Sequence, residues 1–407
     1  RRGGAADALG RQGPRGWSMA NSTPAHVVPD EEECSTAEPP RWDVSCKVLD
    51  DELKALGGAI HSVSCTVDLV ATASSQPVVK VWKLAEAKVI ESQRLRHGAV
   101  GSSCAEVMGD RIAVCYEDGG IGLWDLRSGE RSRDFEADIL TAYKVKFLAD
   151  GKRLVSGGPS GSVSFWDMRM GKLLSEIAAD GAERSKLEEP DPVKRRRRDV
   201  KPTISAKNGK HASPLFSLAT SADDSLLGVG RGSGALSVMR LDNLQWVGDV
   251  QAHHAETSAP VRALAFDATS RLLLSGGDDN HLCLLDAASM ARHPRPGQVA
   301  RSPQLERFSA HRGWVTSVSA CPDRARRVAV STSWDGTVKL WDYVTHRALC
   351  TYKEHTESVF ASSFAPDGRF FVTGGVDAAL CLYVAKQEAA REGLKDEGAI
   401  VPVAKGE

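Results

Sequence analysis

One strand-like phrase, repeated at a nearly fixed interval, constrains this chain more than any other feature. VKLWD reaches its aromatic at Trp341, and the pattern recurs as VVKVW to Trp82, GIGLWD to Trp124, SVSFWD to Trp166, ALSVM to Met239, HLCLLD to Leu285 and ALCLY to Tyr383. Successive copies lie 42, 42, 73, 46, 56 and 42 residues apart. The two long intervals contain a polar insertion near 180–212 and a proline-rich stretch near 289–304, which account for their excess. A period of this length means stacked units, each too small to bury its own apolar residues alone.

Inside each unit the text alternates as strands do. A short run (VTSVSA, YKVKF, VRALAF, VFASSF) leads to a turn, a second run (RLVSGG, LLLSGG, FFVTGG), a tight turn often carrying Asp or Gly, and the phrase ending in the marker residue. A fourth, weaker strand follows, as in RALCTYK and KLLSEI. Four strands per unit and seven units predict an all-β chain, a seven-bladed β-propeller. WDVSCKVLDDELKAL, before the first unit, has a strand-forming core and is expected to supply the outer strand of the last blade, closing the ring and removing two free sheet edges. The expected organisation is an N-terminal extension over 1–42, including the acidic Asp30–Glu33 run DEEE, a propeller over 43–385, and a tail over 386–407. Residues 1–18 precede the first methionine, Met19, and are set aside from fold reasoning.

Composition narrows function by exclusion. Lys and Arg total 52 against 53 Asp and Glu, so no global field draws the chain to nucleic acid or an anionic membrane. Nine cysteines form no CxxC pair, and Cys65, Cys104, Cys115, Cys283 and Cys381 sit in apolar alternating runs, which reads as a reducing compartment without structural zinc. There is no apolar run of membrane-spanning length and no secretory h-region at the start, so the chain reads as soluble and intracellular. No cofactor is expected.

FSAHRGWVTSVSACPD, STSWDGTVKLWD, YEDGGIGLWDLRSGE and VSGGPSGSVSFWDMRMGK resemble WD40 repeats, and the resemblance extends over about residues 43–385. It implies an internal hydrogen-bond network in each blade: a His before the first strand, a Ser or Thr on the second, a turn Asp and the Trp indole. Carried over by position, the sixth unit has His311, Ser331, Asp335 and Trp341; the seventh has His355, Thr373 and Asp377, with Tyr383 for Trp. The second has His97, Asp118 and Trp124, with Val114 at the hydroxyl position; the fifth has Ser275 and Asp279, paired with His254. In the third, Asp138 and Ser160 stand at the His and Asp positions, and the first has Gln76 at the Asp position. A serine, a histidine and an aspartate so close together also suggest a hydrolase triad. Recurrence in several blades, and the lack of a GxSxG elbow, favour the internal brace, so no catalytic residue is assigned and the chain reads as a non-enzyme.

Function is then expected on the faces of the ring. Aligning the units puts His61, Gly101, Tyr143, Phe216, Arg262, Thr316 and Phe360 in one column at the entry of the innermost strands, with Trp314 and Trp334 beside it. Tyr143, Phe216, Trp314, Trp334, Phe360 and Arg262 form the candidate partner-binding face, although Phe216 and Phe360 also suit strand packing. Lys194, Arg195, Arg196, Arg197 and Arg198 form a basic run in the first insertion, a candidate import signal; no aromatic is interleaved, so direct nucleic-acid binding is not expected. WDLR at 124–127 and WDMR at 166–169 resemble the box by which WD40 substrate receptors dock on cullin-RING ubiquitin ligase adaptors. The closer resemblance is to the WD40 subunit of superkiller complexes, also associated with the Paf1 transcription-elongation complex. It is carried by AHRGWVTSVSACPD with STSWDGTVKLWD, by ADILTAYKVKF, and by the final ALCLY. The basic insertion, the long N-terminus and the degenerate fourth unit depart from it. That resemblance implies a monomeric, non-catalytic scaffold joining a helicase and a helical-repeat protein in exosome-dependent mRNA decay, in cytoplasm and nucleus.

Overall fold

The structure is a computed structural model, and it describes residues 42–55, 57–85, 88–98, 100–135, 142–178, 213–254, 259–291 and 305–385. The basic run at 194–198, Asp138, the acidic run at 30–33 and most of both insertions lie outside the described residues.

The strand-rich text folds into seven antiparallel four-stranded sheets. The chain enters on β1 (Trp42–Leu49) and a short helix, α1 (Asp51–Ala55). Blade 1 is β2 (Ile60–Cys65), β3 (Leu69–Ser74), β4 (Val78–Ala85) and β5 (Lys88–Arg96); blade 2 is β6 (Ser102–Met108), β7 (Arg111–Tyr116), β8 (Ile121–Asp125) and β9 (Arg131–Phe135). Blade 3 holds β10 (Lys144–Phe147), β11 (Arg153–Gly157), β12 (Val163–Asp167) and β13 (Lys172–Ile177), and blade 4 holds β14 (Leu215–Thr220), β15 (Leu226–Arg231), β16 (Ala235–Arg240) and β17 (Trp246–Gln251). Blade 5 comprises β18 (Val261–Phe266), β19 (Leu272–Gly277), β20 (His281–Asp286), a helix α2 (Ala287–Ala291) and β21 (Leu305–Ser309). Blade 6 comprises β22 (Val315–Ala320), β23 (Val328–Ser333), β24 (Val338–Asp342) and β25 (Arg347–Tyr352). The last blade has β26 (Val359–Phe364), β27 (Phe370–Gly375) and β28 (Ala379–Ala385), and its fourth strand is β1. The innermost strands of neighbouring blades touch all the way round, including β26 against β2, so the fold is a closed seven-bladed propeller.

The core is distributed among the seams. Among the described residues there are seven buried apolar clusters, and each is shared by two adjacent blades. The marker residue that set the sequence period has one job throughout: it packs into the seam with the preceding blade. Trp124 joins blade 1 residues such as Val81, Trp166 joins Cys115 of blade 2, Met239 joins Phe165 of blade 3, and Trp341 joins Leu274 of blade 5. Any large apolar side chain can fill such a slot, which is why Met239, Leu285 and Tyr383 substitute without breaking the ring.

Closure follows from pairing β1 antiparallel to β28, from Trp42 opposite Ala385 to Leu49 opposite Ala379, with a bulge between Val44 and Cys46. Trp42 is 2% exposed and packs edge-on to Phe364 at 6.2 Å, while its carbonyl accepts the Tyr352 hydroxyl at 2.8 Å. The far end of this segment reaches into blade 1. Leu53 of α1 is buried in the seam between blades 7 and 1, and the buried Lys80 ammonium lies 2.7 Å from Asp50. The N-terminal strand therefore ties the last blade to the first by apolar contact and by an ion pair. Trp42→Ala is expected to cost about 3–5 kcal/mol, the usual range for emptying a buried aromatic site, measured by urea denaturation. A loss of no more than about 0.5 kcal/mol, the scale of surface substitutions, would show that β1 does not hold the ring shut.

Candidate functional site

Asp335 lies within the tight turn between β23 and β24 that the Gly336 N–H closes on the Ser333 carbonyl, with Gly336 at φ 80°. A Cβ on Gly336 would come within 3.2 Å of the Glu357 carbonyl, so this turn suits glycine on two counts. Below it, Ser331 is fully buried at the centre of the hydrogen-bond network. Trp341 Nε1 donates to Ser331 Oγ at 2.8 Å, and Ser331 Oγ lies 2.6 Å from His311 Nε2. His311 Nδ1 lies 3.0 Å from Thr337 Oγ1 and 3.4 Å from Asp335 Oδ2, and the Thr337 hydroxyl donates to Asp335 Oδ1 at 2.6 Å. A neutral imidazole protonated on Nδ1 satisfies every partner. Thr337, which the sequence pattern did not single out, relays the histidine to the aspartate. The order Ser, His, Asp is that of a hydrolase triad, but a serine with no exposed surface has no route to a substrate.

The seventh blade repeats the arrangement. His355 Nδ1 lies 3.0 Å from Asp377 Oδ1 and its Nε2 2.8 Å from Thr373 Oγ1, while Tyr383 stacks on Phe371 at 4.4 Å in place of an indole. In the fifth blade the histidine is His253, not His254. His253 Nδ1 meets Asp279 Oδ1 and Nε2 meets Ser275 Oγ, both at 2.8 Å; His254 gives Asp279 only its backbone N–H, at 3.1 Å. The loop to β18 is four residues longer than its counterparts in blades 6 and 7, so spacing does not choose between the two adjacent histidines. The signal was present in the preceding residue: Ala252 and Ala310 are both buried immediately before the braced histidine.

The second blade departs further. His97 Nε2 is 3.8 Å from Asp118; the imidazole instead stacks on Tyr116 at 3.7 Å, and its Nδ1 contacts Arg131. The Trp124 indole donates to the Tyr116 hydroxyl at 2.7 Å, so Tyr116 fills the place left by Val114. In blade 1, Trp82 Nε1 donates to Thr72 Oγ1 at 3.0 Å, and Gln76 donates to the Glu52 carbonyl at 3.3 Å. In blade 3, Trp166 Nε1 donates to Ser156 Oγ at 2.8 Å, and Ser160 Oγ accepts the Ser162 N–H at 3.3 Å. Blade 4 uses another solution: Arg231 donates to Ser237 Oγ at 2.7 Å and lies over the Trp246 ring.

The second set of candidate residues lies at the outer end of the innermost strands, and β-bulges position it. In six blades the first strand skips one residue in its pairing, and the skipped residues are His61, Ser103, Phe216, Arg262, Thr316 and Phe360. A bulged residue leaves the ladder and its side chain is re-aimed. Tyr143 holds the matching position in blade 3, just before β10. Ser103, not Gly101, thus occupies this column in blade 2. Its hydroxyl donates to the Ala142 carbonyl at 3.1 Å.

The ring contacts join these residues into one arc. His61 stacks on Phe360 at 6.0 Å; Phe360 meets Trp334 at 5.5 Å, and Trp334 meets Trp314 at 5.2 Å. Arg262 spans the next blade, 5.1 Å over Trp314 and 5.6 Å over Phe216, and Phe216 stacks on Tyr143 at 5.7 Å. Asp278 holds the Arg262 guanidinium in a bidentate pair. Trp314 and Trp334 are 42% and 51% exposed, and the other five members are half-buried. The arc covers blades 3 to 7 and blade 1, and breaks at blade 2. Arg127 and Arg169 of the WDLR and WDMR boxes lie elsewhere, on exposed turns after the third strands; Arg127 pairs with Asp110 at 2.5 Å. Among the described residues, no group of His, Cys, Asp and Glu is arranged to hold a metal ion. Burial pushes the Cys65 and Cys283 thiols up to about 12.

Three stretches of the chain, 246–286, 302–342 and 347–383, match the WD domain, G-beta repeat model, so the chain carries WD40 repeats. The ribosome biogenesis protein WDR12 homolog of Chlamydomonas reinhardtii is 28% identical over 77% of this chain and 70% of its own length. The ribosome biogenesis protein YTM1 of Eremothecium gossypii is 24% identical over 78% and 73%. The angio-associated migratory cell protein of Canis lupus familiaris is 22% identical over 76% and 63%.

Two outcomes are expected of the braces. Ser331→Ala should cost about 1–3 kcal/mol, because the Trp341 N–H and the His311 ring lose their shared partner in a buried site. The parent protein should take no label from a fluorophosphonate probe; labelling at Ser331 would reinstate a nucleophile. The second concerns acid. Burial alone would raise the Asp377 carboxyl, but hydrogen bonds from His355 and from the Thr356 and Ala379 N–H groups outweigh it and hold the group below the ordinary range; Asp335 is held below that range in the same way. A carboxyl whose folded pKa lies below its unfolded one adds stability above the unfolded value, about 3.9, and loses it as pH falls through the folded value. Asp377→Asn should therefore flatten the decline in melting temperature below pH 4, and an unchanged acid slope would remove Asp377 from that role.

Proposed function

We propose that this chain is a non-catalytic docking scaffold of an RNA-processing assembly, with its partner seated on the aromatic arc. The observation that carries the reading is the unbroken sequence of ring contacts from His61 to Tyr143, with Trp314 and Trp334 half exposed at its middle. Exposed tryptophans held by packed neighbours are typical anchors of protein interfaces, since burying each removes a large apolar area from water at little entropic cost. Arg262 is already neutralised by Asp278, so it serves the arc as a flat, stacked spacer.

Two assemblies follow from different observations. The names of the WDR12 and YTM1 relatives, whose alignments span most of this chain, support a role in ribosome biogenesis. The motifs around His311, Trp314 and Trp334 and the closing ALCLY support a superkiller-type complex, with a helicase and a helical-repeat protein as partners. Both readings make the chain a subunit, and both accommodate a nuclear pool served by Lys194–Arg198. The WDLR and WDMR boxes support the cullin-adaptor reading less, since they are short and lie apart from the arc.

Affinity purification of the tagged full chain with mass spectrometry distinguishes them. Pre-ribosomal proteins as principal partners would establish the first reading, and a helicase with a helical-repeat protein the second. A cullin adaptor as principal partner would displace both. In each case Trp314→Ala/Trp334→Ala is expected to reduce recovery at least about tenfold, the effect of losing an anchor worth about 1.4 kcal/mol or more. Undiminished recovery by a folded double variant would remove the arc from the interface.

A further inference from the structure

At the rim, the seam between blades 6 and 7 opens into a cleft of about 770 Å³ beside Trp334, and its chemistry differs from that of the arc. Arg312, Lys339 and Lys353 line it, together with Thr351 and Thr356. The Lys339 ammonium is committed to the Ala310 carbonyl at 2.7 Å. Arg312 and Lys353 are exposed, and neither side chain has an ion-pair partner among the described residues. Two acids share the wall. Asp335 is taken up by the Thr337 hydroxyl and by the Arg312 and Thr337 N–H groups, which leaves Glu357 as the other acid of the lining.

One wall of this cleft continues into a sheet edge. Thr351 belongs to β25, the outermost strand of blade 6, which has no paired strand on its outer side among the described residues and carries no charge from Ala348 to Tyr352. An uncharged, exposed edge is a template for an added strand. We propose that an acidic, extended segment of a protein partner pairs along β25 and enters the cleft, setting its carboxylates against Arg312 and Lys353 and an apolar side chain on Trp334. A peptide fits better than RNA. A nucleic-acid strand presents a phosphate at every residue and needs a row of cations to replace its counterions, whereas this wall has two cations without an ion-pair partner among the described residues, a carboxylate at Glu357, and backbone groups suited to a strand. The proposal shares Trp334 with the docking reading above but requires neither Trp314 nor the rest of the arc.

The test is fluorescence anisotropy of the full chain with a fluorescein-labelled octapeptide alternating glutamate and valine. Saturable binding is expected, about tenfold or more weaker in Arg312→Glu/Lys353→Glu and for the same peptide with glutamine for glutamate, and unchanged in Trp314→Ala. The double variant replaces exposed side chains, and its melting temperature checks that it is folded. Three results would overturn the proposal: no saturable binding, equal binding by the double variant, or loss in Trp314→Ala with the double variant intact, which would put the peptide on the arc. Tighter binding of labelled octauridylate, abolished by the double variant, would assign the cleft to nucleic acid instead. If Trp314→Ala/Trp334→Ala keeps its partners while the peptide still distinguishes Arg312→Glu/Lys353→Glu, the arc fails and the cleft stands.

Discussion

Each sheet in this ring has two apolar faces, and only its neighbours can cover them. That constraint governs the rest of the molecule. A blade alone would expose its own half of each of two seams, so the seven units are stable only as a closed circle, and closure needs one strand from the opposite end of the chain. β1 meets the need, and it does so with more than a ladder: Trp42 fills the seam on one side, and Asp50 and Leu53 engage blade 1 on the other. The marker column of the sequence is the same constraint seen from within each blade, one large side chain delivered by every blade to the preceding seam.

What the sequence carried clearly is what repetition makes visible. Period and blade number depend on apolar alternation, which every copy restates; the turn aspartates recur in blades 2, 5, 6 and 7, and the closing strand shows the same alternation. What it carried poorly depends on single insertions and on partners from other positions. The longer loop before β18 hid His253 behind His254, and a β6–β7 hairpin two residues tighter than those of blades 5 and 7 put Ser103 where counting gave Gly101. Tyr116 replaces a missing hydroxyl from two residues further along its strand, and Thr337 enters the sixth brace from the far side of the turn. None of these has a signature in one unit alone, because each is a local deviation from the period. The arc was legible only as a column of residues; that Arg262 bridges Trp314 to Phe216 depends on side-chain reach across two seams.

The braces and the arc are mechanically linked, although no ligand need touch both. In blades 5, 6 and 7 the turn aspartate accepts the backbone N–H of the residue after the braced histidine: His254, Arg312 and Thr356. Each of those bonds anchors the chain just after the histidine, ahead of the next innermost strand; Arg262 and Phe360 lie on two of those strands and Trp314 immediately before the third. Trp334 is held in addition by its own N–H to the Trp314 carbonyl at 3.0 Å. A side chain anchored in this way loses little freedom when a partner covers it, so more of its burial appears as affinity. Blade 2 has the loosest His–Asp contact, 3.8 Å between His97 and Asp118, and it is also where the arc breaks. The network that imitates a hydrolase triad therefore contributes to the proposed function indirectly: it spends no chemistry on substrate and keeps two exposed tryptophans in one geometry.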